Sequence, residues 1–363
     1  MKSWNRLEQI FKHRQLRLLE RLLALPPRRP DELARHHVRR ILIVRQHDQL
    51  GDFLLSTPAW RAVRHRFRGA HITLVARRYT AALAVHHPDI DQVLVFYEHG
   101  RDWTPGAAGR FVGELRRGFD LAIVLNTVSH SLTSDLIARM SGAPFILGSA
   151  HLPFGSTSRN FFYNIVARFV PGRVNQCERN LDIVRAVGAD VDPVRERITL
   201  TEQERMSAEE ALSALGRLPG KRLIALHPGA GKPRNRWPVA SYARLGRLLH
   251  ERGMQLLVTW GPDEGALGAE LLEQLGIQVL RVADRDLRRV AALLSQVDAL
   301  VCNDTGVMHL AAAVNTPLVA IFGPTDPALW KPPGDRFIAL RASDSLCSSV
   351  SPERVLKKVI AIC

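Results

Sequence analysis

Three short turns in the 363-residue sequence join glycine to residues that hold or move charge, and each follows an apolar, β-prone run. The first leads from Gln46 to Gly51 and Asp52, behind the run Ile41–Arg45. In a parallel α/β sheet ligands gather at the carboxyl ends of the strands, so Asp52 is expected in the ligand crevice. A carboxylate there takes the proton of a hydroxyl as its oxygen forms a new bond, the work of a general base. Aspartate also suits a helix N-cap, and residue type alone leaves both readings open. The second turn, HPGAGKPRNRWP at 227–238, follows Leu223–Leu226. Gly229 and Gly231 let backbone N–H groups approach a ligand, and Lys232, Arg234 and Arg236 crowd cations into one loop. A diphosphate is the natural guest; a solvated basic loop is the alternative. The third turn, NDTGVMHL at 303–310, lies between a strand and a helix. The unpaired N–H groups at such a helix start suit a phosphate, with Thr305 and Gly306 best placed to meet it. Asp304 would repel phosphate and is expected to orient the loop or a sugar hydroxyl. His309 has the alternative reading of a structural hydrogen-bonding residue. The turn GPTDP at 323–327 is expected to line the same pocket.

These turns need a scaffold, and the pattern supplies one. From Arg40 onward, β-rich runs alternate with helical patterns, the mark of a parallel sheet with helices on its faces. The expected strands of a first series are Ile41–Arg45, Ile72–Ala76, Val93–Phe96 and Leu121–Leu125. Helices are expected over Phe53–Phe67, Ala81–His86, Gly109–Arg117 and Leu132–Met140. Residues 150–185, with Phe161, Phe162, Tyr163, Arg159, Arg168 and Arg173, carry no clear period. A second series follows a polar, helix-prone stretch at Thr201–Gly220, with strands at Leu223–Leu226, Gln255–Trp260, Gln278–Val282, Ala299–Cys302 and Leu318–Phe322. The tail Pro352–Ile362 reads as an amphipathic helix. The expected division is a basic helical extension at 1–38, α/β domains at 39–205 and 206–350, and a closing helix at 351–363.

Composition bounds the partners. A net charge of +15 implies an anionic one: nucleic acid, membrane surface, phosphorylated glycolipid or nucleotide. Within residues 1–25, Trp4, Leu7, Phe11, Leu18, Leu22 and Leu25 share one helical face among basic residues. Such a helix suits an anionic bilayer, or packs its stripe on the protein's own core. The segment lacks a signal peptide's unbroken apolar region, and no run of ~20 apolar residues offers a membrane span. Cys177, Cys302, Cys347 and Cys363 have no metal-ligand spacing and fit a reducing compartment, so a cytoplasmic protein is expected, peripheral at the inner membrane face if the basic helix binds there. No P-loop, HExxH, nucleophile elbow or kinase signature is present. Asp190 and Asp192 stand in a polar linker beside Pro193 and read as surface rather than metal ligands.

Taken in order, Gly51-Asp52, HPGAG…RWP and NDTGVMHL…GPTDP resemble the glycosyltransferase family 9 heptosyltransferases of lipopolysaccharide core assembly, over residues 40–361. The resemblance implies a GT-B architecture, two Rossmann-like domains facing a central cleft, with acceptor on the N-terminal and donor on the C-terminal domain. It implies an inverting transfer of a sugar, heptose from ADP-heptose, onto a lipopolysaccharide core or related anionic glycolipid, with no metal or other cofactor and with Asp52 as base. It puts Lys232, Arg234, Asn235 and Arg236 in a cationic loop on the leaving diphosphate. Thr305, Gly306 and His309 would surround the pyrophosphate, Asp304 a donor hydroxyl and Glu264 the nucleotide ribose. The family commonly has lysine where this chain has Asn235, which leaves open which cation neutralises the leaving group. The rival readings are a GT-B enzyme using another nucleotide sugar, such as an epimerase or another transferase, and a non-catalytic anion- or membrane-binding module. No nucleic-acid motif is present.

Overall fold

The structure is a computed structural model that describes residues 18, 20–46, 49–128, 131–150, 160–172 and 174–363. It divides into two compact units: Met1–Asp48 with Pro58–Pro193, and Gln49–Thr57 with Val194–Cys363. The boundary therefore falls before the expected 205/206, and the turn carrying Asp52 groups with the second unit. Segment 194–200 joins the second unit because Ile198 N–H donates to the Ala313 carbonyl and Arg288 to the Thr199 carbonyl.

In the first unit six parallel strands are ordered β3-β2-β1-β4-β5-β6. They are β1 Arg40–Arg45, β2 His71–Arg77, β3 Gln92–Phe96, β4 Leu121–Val124, β5 Phe145–Ser149 and β6 Ile165–Ala167. The central strands β1 and β4 read RILIVR and LAIV and are buried along nearly their whole length. Continuous apolar runs of this kind are what a sheet covered on both faces demands. At its amino end Asp120 accepts from the N–H groups of Arg39 and Arg40 at 2.7 and 2.9 Å, pinning β1 beside β4. Phe111, Phe119, Ile137, Phe161, Phe162 and Tyr163 build one side of the core.

The second unit repeats the plan, with order β12-β11-β10-β7-β8-β9. Its strands are β7 Leu223–His227, β8 Gln255–Trp260, β9 Leu280–Ala283, β10 Ala299–Asn303, β11 Leu318–Phe322 and β12 Phe337–Arg341. Here Asp298 accepts from Leu223 N–H at 2.7 Å, the counterpart of the Asp120 contact. In both sheets the strand order reverses between the first and fourth strands. Loops leaving those two strands diverge and open a crevice at their carboxyl ends.

The expected helix Phe53–Phe67 is instead two, α2 Leu50–Leu54 and α3 Thr57–Arg66, after a short α1 at Pro30–Ala34. The break is chemical: the hydroxyls of Ser56 and Thr57 donate back to the carbonyls of Phe53 and Leu54. The next residue, Pro58, offers no N–H. The expected helices Ala81–His86 and Gly109–Arg117 start earlier, as α4 Arg78–Ala84 and α5 Pro105–Leu115, while α6 Leu132–Met140 and α7 Gln176–Arg185 complete this unit. In the second unit α8 Glu202–Ala214, α9 Val239–His250, α10 Gly265–Leu275, α11 Leu287–Leu294, α12 Gly306–Ala313, α13 Pro327–Trp330 and α14 Pro352–Ile362 cover the sheet.

Of the amphipathic stripe, Trp4, Leu7 and Phe11 lie outside the described residues. Residues 20–23 are helical, and Leu23 and Leu25 pack on the first unit's core, with Leu25 N–H donating to the Phe161 carbonyl. Leu18 and Leu22 stay 56% and 71% exposed. Arg159 and Arg173 also lie outside the described residues. Among the described residues no helix is long and apolar enough to cross a membrane. Asp190 accepts from Arg185, as a surface carboxylate does.

Candidate active site

The second and third turns leave β7 and β10, the two strands at the reversal of the second sheet. Cys302 stands beside His227 in the ladder, so both loops rise from the same level. Asn303, fully buried at the end of β10, joins them. Its side-chain oxygen accepts from Trp237 N–H at 2.9 Å, and its amide donates to the carbonyls of Pro228 and Gly229 at 2.8 and 3.1 Å. One amide thus fixes both ends of the cationic loop. Sequence reasoning took Asn303 only as the first letter of a motif; its burial at a strand end was the missing signal.

Within that loop the residues divide by exposure. Lys232 and Arg234 are exposed, one just before and one within a short 3-10 turn at Pro233–Asn235. Arg236 is half-buried, its Nε donating to the Ala230 carbonyl at 2.9 Å. Asn235 is buried and turns the other way, its amide donating to Asp304 Oδ2 at 3.2 Å. The Thr325 hydroxyl donates to the same oxygen at 2.6 Å. Asn235 therefore brings no charge to the loop, and its amide is spent on Asp304. Thr325 brings the GPTDP turn into the same cluster.

Glu264 stands at the carboxyl end of β8. Its Oε2 accepts from Gly261 N–H at 2.8 Å and lies 3.5 Å from His227 Nε2. Its carboxylate occupies the space a side chain at Gly229 would need, so glycine there is a packing requirement. Gly231 has open space where a Cβ would sit, and its exposed backbone lies at the loop's crest. Burial pushes the His227 imidazole pKa down, against the pull of Glu264.

Thr305 is the N-cap of α12, yet its side chain makes no cap hydrogen bond. The first turn of α12 is partly exposed through Gly306 and Val307. Gly306 faces Leu50 of α2 so closely that an added Cβ would lie 3.0 Å from the leucine Cβ. Gly51 faces His309 in the same way, with an added Cβ 2.7 Å from ring carbon Cδ2. Two glycines on opposing helices thus seat α2 against α12 and bring Asp52 within electrostatic reach of His309. Asp52 lies in the first turn of α2, whose N-cap is Gln49, so the cap reading of Asp52 gives way. His309 is buried and its Nδ1 lies 2.9 Å from Glu196 Oε1. Burial opposes the charged ring, but the charge and hydrogen bond of Glu196 outweigh it, with Asp304 and Asp52 adding, so the His309 pKa is raised.

In the first unit Thr127, Ser149, Arg168, Phe169, Arg179 and Asp182 line an open depression at the carboxyl ends of β4, β5 and β6. Arg179 stacks over the Phe169 ring, 5.6 Å from its centroid.

The family model of glycosyltransferase family 9 (heptosyltransferase) matches residues 108–359. Lipooligosaccharide heptosyltransferase 2 of Haemophilus influenzae is 26% identical over 320 residues, covering 80% of this chain and 86% of the relative. The crystal structure of a family 9 glycosyl transferase from Veillonella parvula matches with TM-score 0.80 at 21% identity, over 90% of this chain and 99% of that one. E. coli ADP-heptose lipopolysaccharide heptosyltransferase II matches with TM-score 0.73 at 24% identity, over 89% and 98%. The two repeated sheets are thus the Rossmann-like domains of the GT-B fold. By a family match that spans most of its length, this chain belongs to glycosyltransferase family 9 and is a glycosyltransferase.

Proposed function

We propose that this enzyme moves heptose from ADP-heptose to a hydroxyl of a lipopolysaccharide core or related anionic glycolipid, by a single inverting displacement with Asp52 as general base. The observation that carries the reading is the convergence, at one strand-order reversal, of two glycine loops, the exposed cations Lys232 and Arg234, and the helix start at Thr305-Gly306. A diphosphate needs N–H donors and positive charge in one place, and these elements provide both.

In the displacement, the acceptor oxygen attacks the anomeric carbon as its proton passes to Asp52 and the bond to the diphosphate breaks. Negative charge grows on the departing nucleotide. Lys232, Arg234 and the α12 N–H groups stabilise it, an effect of about 3 kcal/mol for a well-placed donor. Arg236 contributes through its remaining guanidinium N–H groups. Cations in the loop take the place a metal would fill, so transfer is expected to survive chelation by EDTA. Asp304, held by Asn235 and Thr325, meets a donor hydroxyl, and Glu264 the ribose. Arg168 and Arg179 of the first unit offer charge to an anionic acceptor. The enzyme would work in the cytoplasm, with residues 1–25 on the inner face of the membrane where such an acceptor resides.

Calorimetric titration with ADP, UDP and GDP tests the donor. Binding of ADP at least tenfold tighter than the others is the expected result. A preference for UDP would move the reading to another nucleotide sugar.

A further inference from the structure

A segment that no motif marks holds the base in place. Three successive residues of the extended stretch 194–200 bind α12 and the start of α3. The Glu196 carboxylate pairs with His309 of α12 at 2.9 Å. Arg197 N–H donates to the hydroxyl of Thr57, the first residue of α3, at 3.0 Å, and Ile198 N–H donates to the Ala313 carbonyl at 3.1 Å, at the end of α12. The side chains of Glu196 and His309 are 1% and 4% exposed. The far edge of the His309 ring rests on the Gly51 backbone, one residue before Asp52.

We infer that Glu196 is a positioning residue for transfer: paired with His309, it fixes the ring whose far edge supports the Gly51-Asp52 turn. The charges facing His309 are Glu196 from the strap, Asp52 from α2 and Asp304 from the loop after β10. Without the Glu196 pairing the ring is free to turn, and the Gly51 backbone loses the surface that sets where Asp52 stands. Burial alone pushes the imidazole toward its neutral form, and Glu196 reverses that balance.

The inference rests on Asp52 being the base, and the test separates the two. The readouts are kcat against pH with ADP-heptose and a heptose-deficient lipopolysaccharide acceptor, and the ring protonation of His309 by NMR, assigned with His309→Asn. In Glu196→Gln the ring loses its partner and deprotonates at a lower pH. Its kcat is expected to fall on the order of tenfold, because the ring that supports the Gly51-Asp52 turn loses its anchor. Donor KM should stay within about twofold, because the cationic loop is untouched. Glu196→Asp, which keeps the hydrogen-bonding carboxylate, should restore part of that kcat. A Glu196→Gln kcat equal to the wild type, an equal loss in donor KM, or an unaltered His309 titration would overturn the inference. A wild type that transfers nothing would overturn the proposed function instead, and this positioning role with it.

Discussion

Gly229 is the residue where the cationic loop and Glu264 interlock. Its missing side chain leaves room for the Glu264 carboxylate, which is held in turn by Gly261 N–H. Gly229→Ala must expel that carboxylate, the group proposed for the ribose. Nucleotide affinity should drop by about 2 kcal/mol, the cost of displacing a hydrogen-bonded charged group, with little change in Tm. A calorimetric Kd equal to that of the wild type would refute the assignment of Glu264. The residues of the three turns were legible because glycine, cations and phosphate chemistry leave local signatures. Glu196 was not, since its partner His309 is 113 positions away and neither lies in a pattern that names the other. Asn235 shows the opposite case: the sequence put it correctly in the loop, but only the hydrogen bond to Asp304 separates an orienting amide from its cationic neighbours.

Elements were read best where their signals were self-contained. Strands β8 and β11 and helices α6 and α14 have the bounds their periodicity implies. Strands β5 and β12, five residues each, were missed because short runs beside glycine and proline look like loop. The split between α2 and α3 was hidden in hydroxyl-to-carbonyl bonds that no hydrophobic period reports. Helix α8 carries its own start signal, a capping box in which Thr201 and Glu204 satisfy each other's backbone N–H groups. Glu204 also receives Arg288 Nη2 at 2.6 Å, tying α8 to α11. The Arg288 guanidinium, with Thr201 helping against burial, lowers the Glu204 pKa from 4.5 to about 2. A carboxylate with a depressed folded pKa adds stability above its unfolded value, and that stability is lost as pH falls toward the folded one. Urea midpoints of the wild type should therefore decline between pH 4.5 and about 2 more steeply than those of Glu204→Gln. Parallel declines would show that the pair carries no acid sensitivity.

At the scale of the molecule, the same strand order appears twice, and the paired contacts of Asp120 and Asp298 mark both first strands at their amino ends. Repetition of that plan explains why alternating β and helical patterns sufficed to recognise the architecture. The boundary was harder, because segments 49–57 and 194–200 belong with the second unit through contacts distant in sequence. The net charge of +15 is concentrated near the N-terminus, where Leu23 and Leu25 pack on the first unit while Leu18 and Leu22 remain exposed. A protein lacking residues 1–17 keeps those packed leucines, so its Tm should stay within about 3 °C of the full chain. Its sedimentation with anionic phospholipid vesicles should fall severalfold, and undiminished binding would remove the membrane role of this segment.

The central claim, that Asp52 is the base of a heptosyl transfer, is met most directly by acceptor-dependent release of ADP from ADP-heptose. With heptose-deficient lipopolysaccharide as acceptor, the wild type should release ADP. Asp52→Asn, which keeps size and removes the charge, should lose about 10²–10⁴-fold in kcat while its donor Kd stays almost unchanged. Release by Asp52→Asn at the wild-type rate, or an equal loss of transfer and donor binding, would contradict the account.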